Sequence, residues 1–271
     1  MSATMLDDDT VELLQRIFEE TTAPLVVVNP APDVLESIII AATEHEPELP
    51  EIRVLAAEDT LKTMAEDFII ASQAADLIAD ETLSLRTTEI ARTSMLVTPE
   101  QVIVLLAIDR QTRGMESDDP ELVETVHETF LSEWESAEDF TLRTPPYSRV
   151  LNNLEDEIGA ETKEDFAAVI DSVETVRGTG GELDEVEISL LVAAKNEVLF
   201  YDIGKWGEDS GVASKATFSR MKTKLEDQGL IGTEKVPIDV GRPRLRLRLA
   251  TEDLQNTIIE ELASRAQEQL A

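Results

Sequence analysis

Between Ser214 and Leu249 the hydrophobic period of the chain changes from that of a helix to that of a strand, and few folds accept both within so short a span. Ser214 suits an N-cap, because its hydroxyl can accept a hydrogen bond from a first-turn N–H. Phe218, Met221 and Leu225 then recur at helical spacing, and Gly229 stands where a left-handed residue ends a helix. With that stripe in a core, about 100° per residue puts Ala216, Ser219, Arg220 and Thr223 on the opposite face. Lys215, Lys222 and Lys224 flank them. From Val236 to Leu249 the pattern predicts two strands around a turn at Asp239–Arg242, where Gly241 supplies a positive φ. In the second strand Arg244, Arg246 and Arg248 alternate with Leu245, Leu247 and Leu249, so arginines take one face and leucines the core.

A capped helix followed by a basic hairpin is the second half of a winged helix-turn-helix. Small, hydroxyl and cationic side chains on an exposed helix face suit a major groove. The candidate DNA-binding residues are therefore Ser214, Lys215, Ala216, Thr217, Ser219, Arg220, Lys222, Thr223, Lys224, Arg242, Arg244 and Arg246. Ala216, Ser219, Arg220 and Thr223 are expected to face bases, and Lys215, Thr217, Lys222 and Lys224 to hold phosphates. Arg242 and Arg244 bracket Pro243 at the hairpin tip, within reach of phosphates or a narrow minor groove. The alternative is a winged helix used for protein contacts, its charges merely solvated.

Three short patterns carry a resemblance. They are S-x-x-T-x-S-R (Ser214, Thr217, Ser219, Arg220), L-E-x-x-G-L-I (Leu225, Glu226, Gly229, Leu230, Ile231) and G-R-P-R (Gly241 to Arg244). They resemble the winged-helix domains of prokaryotic regulators of the MarR and TrmB kind, which implies that Ser214–Gln228 is a recognition helix and Arg242 and Arg244 a wing. The whole chain is similar to the haloarchaeal TbsP regulators, which pair an α/β N-terminal region with such a domain. That resemblance implies control of central carbon genes, on which the residues themselves are silent. Leu199–Gly211 departs from the pattern, being longer and more acidic than the usual second helix and turn.

The basic stretch is an island. The chain carries 57 acidic and 23 basic residues, a net charge of −34, yet Lys195–Ala250 holds 11 basic and 8 acidic residues. Acid enrichment along a chain with few aromatics points to a cytoplasm of molar salt, as in a halophile, where the Debye length is only about 3 Å. Intrinsic disorder is excluded, because 42% of residues are hydrophobic and fall into periodic runs. Screening also weakens counterion release, so specificity should lean on direct readout and dimer geometry.

The reading is α+β: an N-terminal α/β sensor or interaction domain (1–140) with a small mixed sheet, a helical linker (141–180), and a winged helix-turn-helix domain with a terminal helix (181–271). Strands are expected at Leu25–Val28, Ile52–Ala56 and Leu83–Thr87, and as an antiparallel pair at Ser94–Val97 and Val102–Ile108. Helices are expected from Thr10 to Glu20, Asp33 to Thr43, Asp59 to Ala79 without a break, and Asp118 to Ser136. Tyr147–Ile158, Thr162–Val176 and Leu183–Val198 follow, with a joint at Gly178–Gly181. A continuous helix from Thr251 to Gln269 would present Leu254, Ile258, Leu262, Ala266 and Leu270 as a seam, either for a homodimer or against its own wing.

Chemistry is thin. There is no cysteine, and His45 and His127 lie in separate elements without metal-ligand spacing. No phosphate-binding glycine loop or nucleophile elbow occurs, so neither an enzyme nor a cofactor is expected. No run is long enough to span a membrane and the first residues lack a signal-peptide pattern, which predicts a cytoplasmic protein. Arg86, Arg92, Arg110 and Arg113 near strand ends form a candidate site for a small anionic effector, or are salt-bridge partners. Double-stranded DNA is the expected partner, with a second regulator as the alternative.

Overall fold

The computed structural model describes residues 4–6, 10–45, 48–89, 93–108, 111–176, 183–237 and 243–270. Two compact units, Met1–Pro146 and Tyr147–Ala271, divide the chain.

The first unit is built on a mixed eight-stranded sheet. Its elements are β1 (Thr4–Leu6), α1 (Thr10–Glu20), β2 (Leu25–Val28), α2 (Pro32–Glu44), β3 (Ile52–Ala56), α3 (Glu58–Glu66), α4 (Phe68–Ala79) and β4 (Leu83–Thr87). Then come β5 (Met95–Val97), β6 (Val102–Ile108), β7 (Gln111–Ser117), α5 (Pro120–Ser136) and β8 (Glu138–Asp139). The strand order is β1-β7-β6-β5-β2-β3-β4-β8, with β2, β3 and β4 parallel and the other pairings antiparallel. Period two divides β2 between two cores. Leu25 and Val27 join α1, α2, α3 and α4 on one face, while Val26 and Val28 pack with Val123, Phe130 and Trp134 of α5 on the other. A strand buried on both faces must be apolar throughout, which is why it reads LVVV.

Two expectations change in this unit. The helix expected to run unbroken to Ala79 is two, because the Asp67 carboxylate accepts hydrogen bonds from the N–H groups of Ile69 and Ile70 and so caps a fresh start. Arg113, expected near a strand end, lies within a further strand, β7 (Gln111–Ser117), paired along β6.

The second unit starts with α6 (Tyr147–Glu157) and α7 (Ala160–Val176), the two helices read from the sequence as a linker. It continues with α8 (Glu185–Lys195), α9 (Phe200–Ser210), α10 (Lys215–Asp227), β9 (Ile231–Val236) and β10 (Arg244–Leu249). Its core is aromatic: Trp206 of α9 stands edge-on to Phe166 of α7 and to Phe218 of α10, and its indole N–H donates to the Val150 carbonyl at 3.2 Å. The first wing strand begins at Ile231, ahead of the expected Val236, because helix α10 ends abruptly. Gly229 takes φ 73°, and the N–H groups of Gly229 and Leu230 donate to Glu226 and Leu225. That Schellman turn delivers Leu230 and Ile231 directly into the core.

The terminal segment is not one helix. It comprises α11 (Glu252–Asn256), a 3₁₀ turn (Ile259–Glu261) and α12 (Leu262–Glu268). The Lys195 ammonium donates to the carbonyls of Gln255 and Thr257 at 2.8 Å each, satisfying the end of α11 and stopping it there. The expected seam is thereby split. Leu254, Leu262 and Ala266 are buried within the unit, whereas Ile258 is 60% and Leu270 39% exposed.

Candidate nucleic-acid interface

Helix α10 is held from both ends of its sequence. The Ser214 hydroxyl accepts from the Thr217 N–H at 3.2 Å, the expected cap, and Phe218 and Leu225 are fully buried. Met221 is half-buried. The preceding helix, whose place the sequence left open, is α9, and Gly211 at φ 83° turns the chain into α10. Their packing depends on Gly207, where a Cβ would overlap the Phe218 ring. The winged topology closes through an isolated bridge between Leu199 and Arg246, with the Leu247 N–H donating to the Val198 carbonyl at 2.9 Å.

Ala216, Ser219, Arg220 and Thr223 are all exposed, on the face opposite Phe218 and Leu225. The Thr223 hydroxyl donates to the Ser219 carbonyl at 3.1 Å. Arg220 has no ion-pair partner among the described residues.

The lysines differ. Lys215 is paired with Glu208 of α9. Lys222 is only 12% exposed, lies 5.6 Å from the Phe200 ring centre and pairs with Glu226 at 2.5 Å. Lys224 pairs at 2.5 Å with Glu187 of α8, a carboxylate just 5% exposed. The hydrogen bond to Glu187 raises the Lys224 pKa, as the bond to Glu208 raises that of Lys215. Thr217 is half-buried and its hydroxyl lies 3.1 Å from that of Ser214. The ammonium groups of Lys222 and Lys224, expected on phosphates, are thus engaged inside the domain.

In the wing the Leu–Arg alternation holds. Leu247 and Leu249 are buried, Leu245 and Arg246 half-buried, and Arg244 and Arg248 exposed. Arg248 pairs with Glu234 at 2.8 Å and with Glu197 at 3.4 Å, and Arg246 lies 3.8 Å from Glu197. Glu197 holds both from a left-handed backbone, φ 53°, uncommon for a residue with a side chain. Arg244 lies 3.4 Å from Asp202, with its guanidinium 4.9 Å from the Tyr201 ring centre. Arg242 lies outside the described residues. The sequence reading missed the carboxylate partners and Tyr201; the acidic residues at 197, 202 and 208, interspersed with the cations, were the available signal.

Of the arginines proposed for an anionic effector, the two that are described, Arg86 and Arg113, lie apart. Arg92 and Arg110 lie outside the described residues. Arg86 is on β4 and Arg113 on β7, five strand positions apart, or about 24 Å. Arg86 is committed to the fold: it donates to Asp139 at 2.8 Å and to the Trp134 carbonyl at 2.5 Å, over the Trp134 ring. The crevice at the C-terminal ends of β2, β3 and β4, about 910 Å³, is lined by Glu58, Asp59, Glu89, Glu133, Glu138 and Asp139. Such a lining repels an anion.

Helices α8, α9 and α10, the bridge at Leu199 and the β9–β10 hairpin define the second unit as a winged helix-turn-helix domain. The chain belongs to the TbsP-like transcriptional regulators: the N-terminal region of that family matches residues 2–145, and its C-terminal HTH domain matches residues 146–267. No curated protein matches it. Among solved structures it is similar to TrmBL2, an archaeal chromatin protein described as showing a novel mode of DNA binding, at 18% identity and TM-score 0.37. That alignment covers 52% of this chain and 54% of TrmBL2, so the chain spans about half of that relative. It is similar also to NucT from Helicobacter pylori, at 10% identity and TM-score 0.36, over 51% of this chain and 98% of NucT. Likeness at this level says nothing of activity. Among the described residues no helix is long and apolar enough to cross a membrane.

Proposed function

We propose that the protein is a sequence-specific regulator of double-stranded DNA in a halophilic archaeon's cytoplasm, acting as a homodimer. One observation carries this reading: on α10 the predicted base-facing residues Ala216, Ser219, Arg220 and Thr223 share one open face, and Arg220 has no ion-pair partner among the described residues. A free guanidinium there can bond guanine O6 and N7 in a major groove. A homodimer would carry two such helices to half-sites about 34 Å apart. Lys215 and Arg244 hold phosphates by exchanging Glu208 and Asp202 for them, and Arg242 acts from the wing tip. The family supports a role in transcription, and the excess of 57 acidic over 23 basic residues supports a saline cytoplasm. Control of central carbon genes is part of the same proposal.

The carboxylates beside Lys215, Lys222 and Lys224 favour a second reading, in which these neutralised cations meet a partner protein. The two separate on the operator. Arg220→Ala must weaken binding to the selected operator, and changing the base pair beneath Arg220 must abolish the difference between wild type and variant. A protein-contact module would show neither effect.

A further inference from the structure

The exposed ring of Tyr201 stands apart from every other aromatic of the chain. It is 55% exposed, whereas the remaining phenylalanine, tryptophan and tyrosine side chains are buried or half-buried. Leaving an aromatic ring in water forgoes its burial energy and keeps its face and hydroxyl open to a ligand. Tyr201 lies in the first turn of α9, at the strand end where Leu199 bridges Arg246, so its backbone is tied to β10 two residues from Arg244. The Arg244 guanidinium is over its ring at 4.9 Å. Lys215, the first residue of α10, lies within electrostatic reach of the same tyrosine. The ring thus stands near both Lys215, at the start of the recognition helix, and Arg244, at the start of the second wing strand.

We propose that Tyr201 and Arg244 form a seat for one DNA backbone phosphate, outside the recognition helix. This rests on the DNA-binding reading above and adds Tyr201, which no sequence pattern nominated. The ring restrains the guanidinium that lies over it, and a planar fork held in place loses less freedom when it grips two phosphate oxygens. Asp202 accepts from one guanidinium nitrogen of Arg244 at 3.4 Å in the free protein and is displaced by the phosphate. The phenol hydroxyl, which has no hydrogen-bond partner among the described residues, donates to the same phosphate. A seat of this kind fixes the orientation of α10 in the groove without reading a base.

The experiment uses the full chain at molar KCl and a genomic fragment selected by the wild type. Affinities are measured for Tyr201→Ala, Tyr201→Phe, Arg244→Ala and the double variant Tyr201→Ala/Arg244→Ala. Tyr201→Ala is expected to weaken binding about fivefold and Tyr201→Phe, which keeps the ring, about twofold. The double variant is expected to lose less than the product of the two single losses, falling about twofold below Arg244→Ala through the missing hydroxyl, and the ranking of fragments is expected to stay unchanged. Wild-type affinity for Tyr201→Ala, losses that multiply in the double variant, or an altered ranking would overturn the seat while leaving the DNA reading intact. A wild type that selects no fragment would overturn both. Because the ring is exposed, an unchanged melting temperature shows that each variant is folded.

Discussion

Gly207 on α9 and Phe218 on α10 meet so closely that a Cβ on the glycine would overlap the ring, whereas Gly204, one turn earlier, leaves the Phe218 Cβ a comfortable 4.0 Å away. The same helix therefore contains two glycines whose replacement has opposite signs. Gly204→Ala should stabilise the second unit by about 0.5–1 kcal/mol, through the lower chain entropy of alanine. Gly207→Ala should destabilise it by about 1–3 kcal/mol, because Phe218 must leave its place in the core. Thermal unfolding followed through Trp206 reads both. Equal shifts would show that Phe218 does not set the helix-turn-helix angle.

Lys224 should prove to be a stabilising residue instead of a phosphate contact. Its partner Glu187 is buried, and truncating the lysine leaves that carboxylate without its counter-charge. Lys224→Met is expected to cost about 1–3 kcal/mol. At a temperature where the variant is folded, its affinity for a selected operator should stay within about twofold of wild type. A large affinity loss without a stability loss would return Lys224 to the DNA interface.

Asp184 caps α8 through a reciprocal box with Glu187, accepting from the Glu187 N–H at 2.7 Å. Burial raises its pKa above the usual carboxylate value, with the neighbouring Glu187 charge adding to the effect. A folded-state pKa above the unfolded one contributes stability fully present below the unfolded pKa and lost as pH rises through the folded pKa. Asparagine keeps the acceptor without the charge. The melting temperature of Asp184→Asn should therefore gain on wild type as pH rises from about 3.5 to 7. A pH-independent difference would mean that the Asp184 carboxyl titrates alike in both states.

Periodicity made the secondary structure legible wherever one face was buried. The strands at Leu25–Val28, Ile52–Ala56 and Leu83–Thr87, and the exposed face of α10, follow from the spacing of apolar residues alone. What stayed hidden depends on long-range partners. Lys195, some sixty residues away in sequence, decides where α11 stops, and Asp67 splits a helix whose apolar pattern runs on. The cationic set was legible as sequence, but its availability was not. Glu187 and Lys224 are 37 positions apart, and only the fold shows that the lysine is already occupied.

Pre-paired cations also bear on salt dependence. A lysine or arginine that leaves a carboxylate for DNA still displaces counterions; among the described candidates Lys215 and Arg244 are placed to make that exchange, and Arg220 reaches DNA without one. About three cationic contacts per domain, six in the homodimer, give a slope of log K against log salt near −5. Titration between about 0.5 and 2 M KCl measures it. A slope near −11 would mean that the internal pairs at Lys222, Lys224 and Arg248 open as well.

The most direct measurement is selection from a pool of genomic fragments at molar KCl, run in parallel with wild type and with Arg220→Ala/Arg244→Ala. The account predicts that the wild type enriches a small set of fragments sharing one motif and that the folded double variant enriches none. Equal enrichment by both, or no enrichment by a folded wild type, would contradict a DNA-reading role for α10 and the wing.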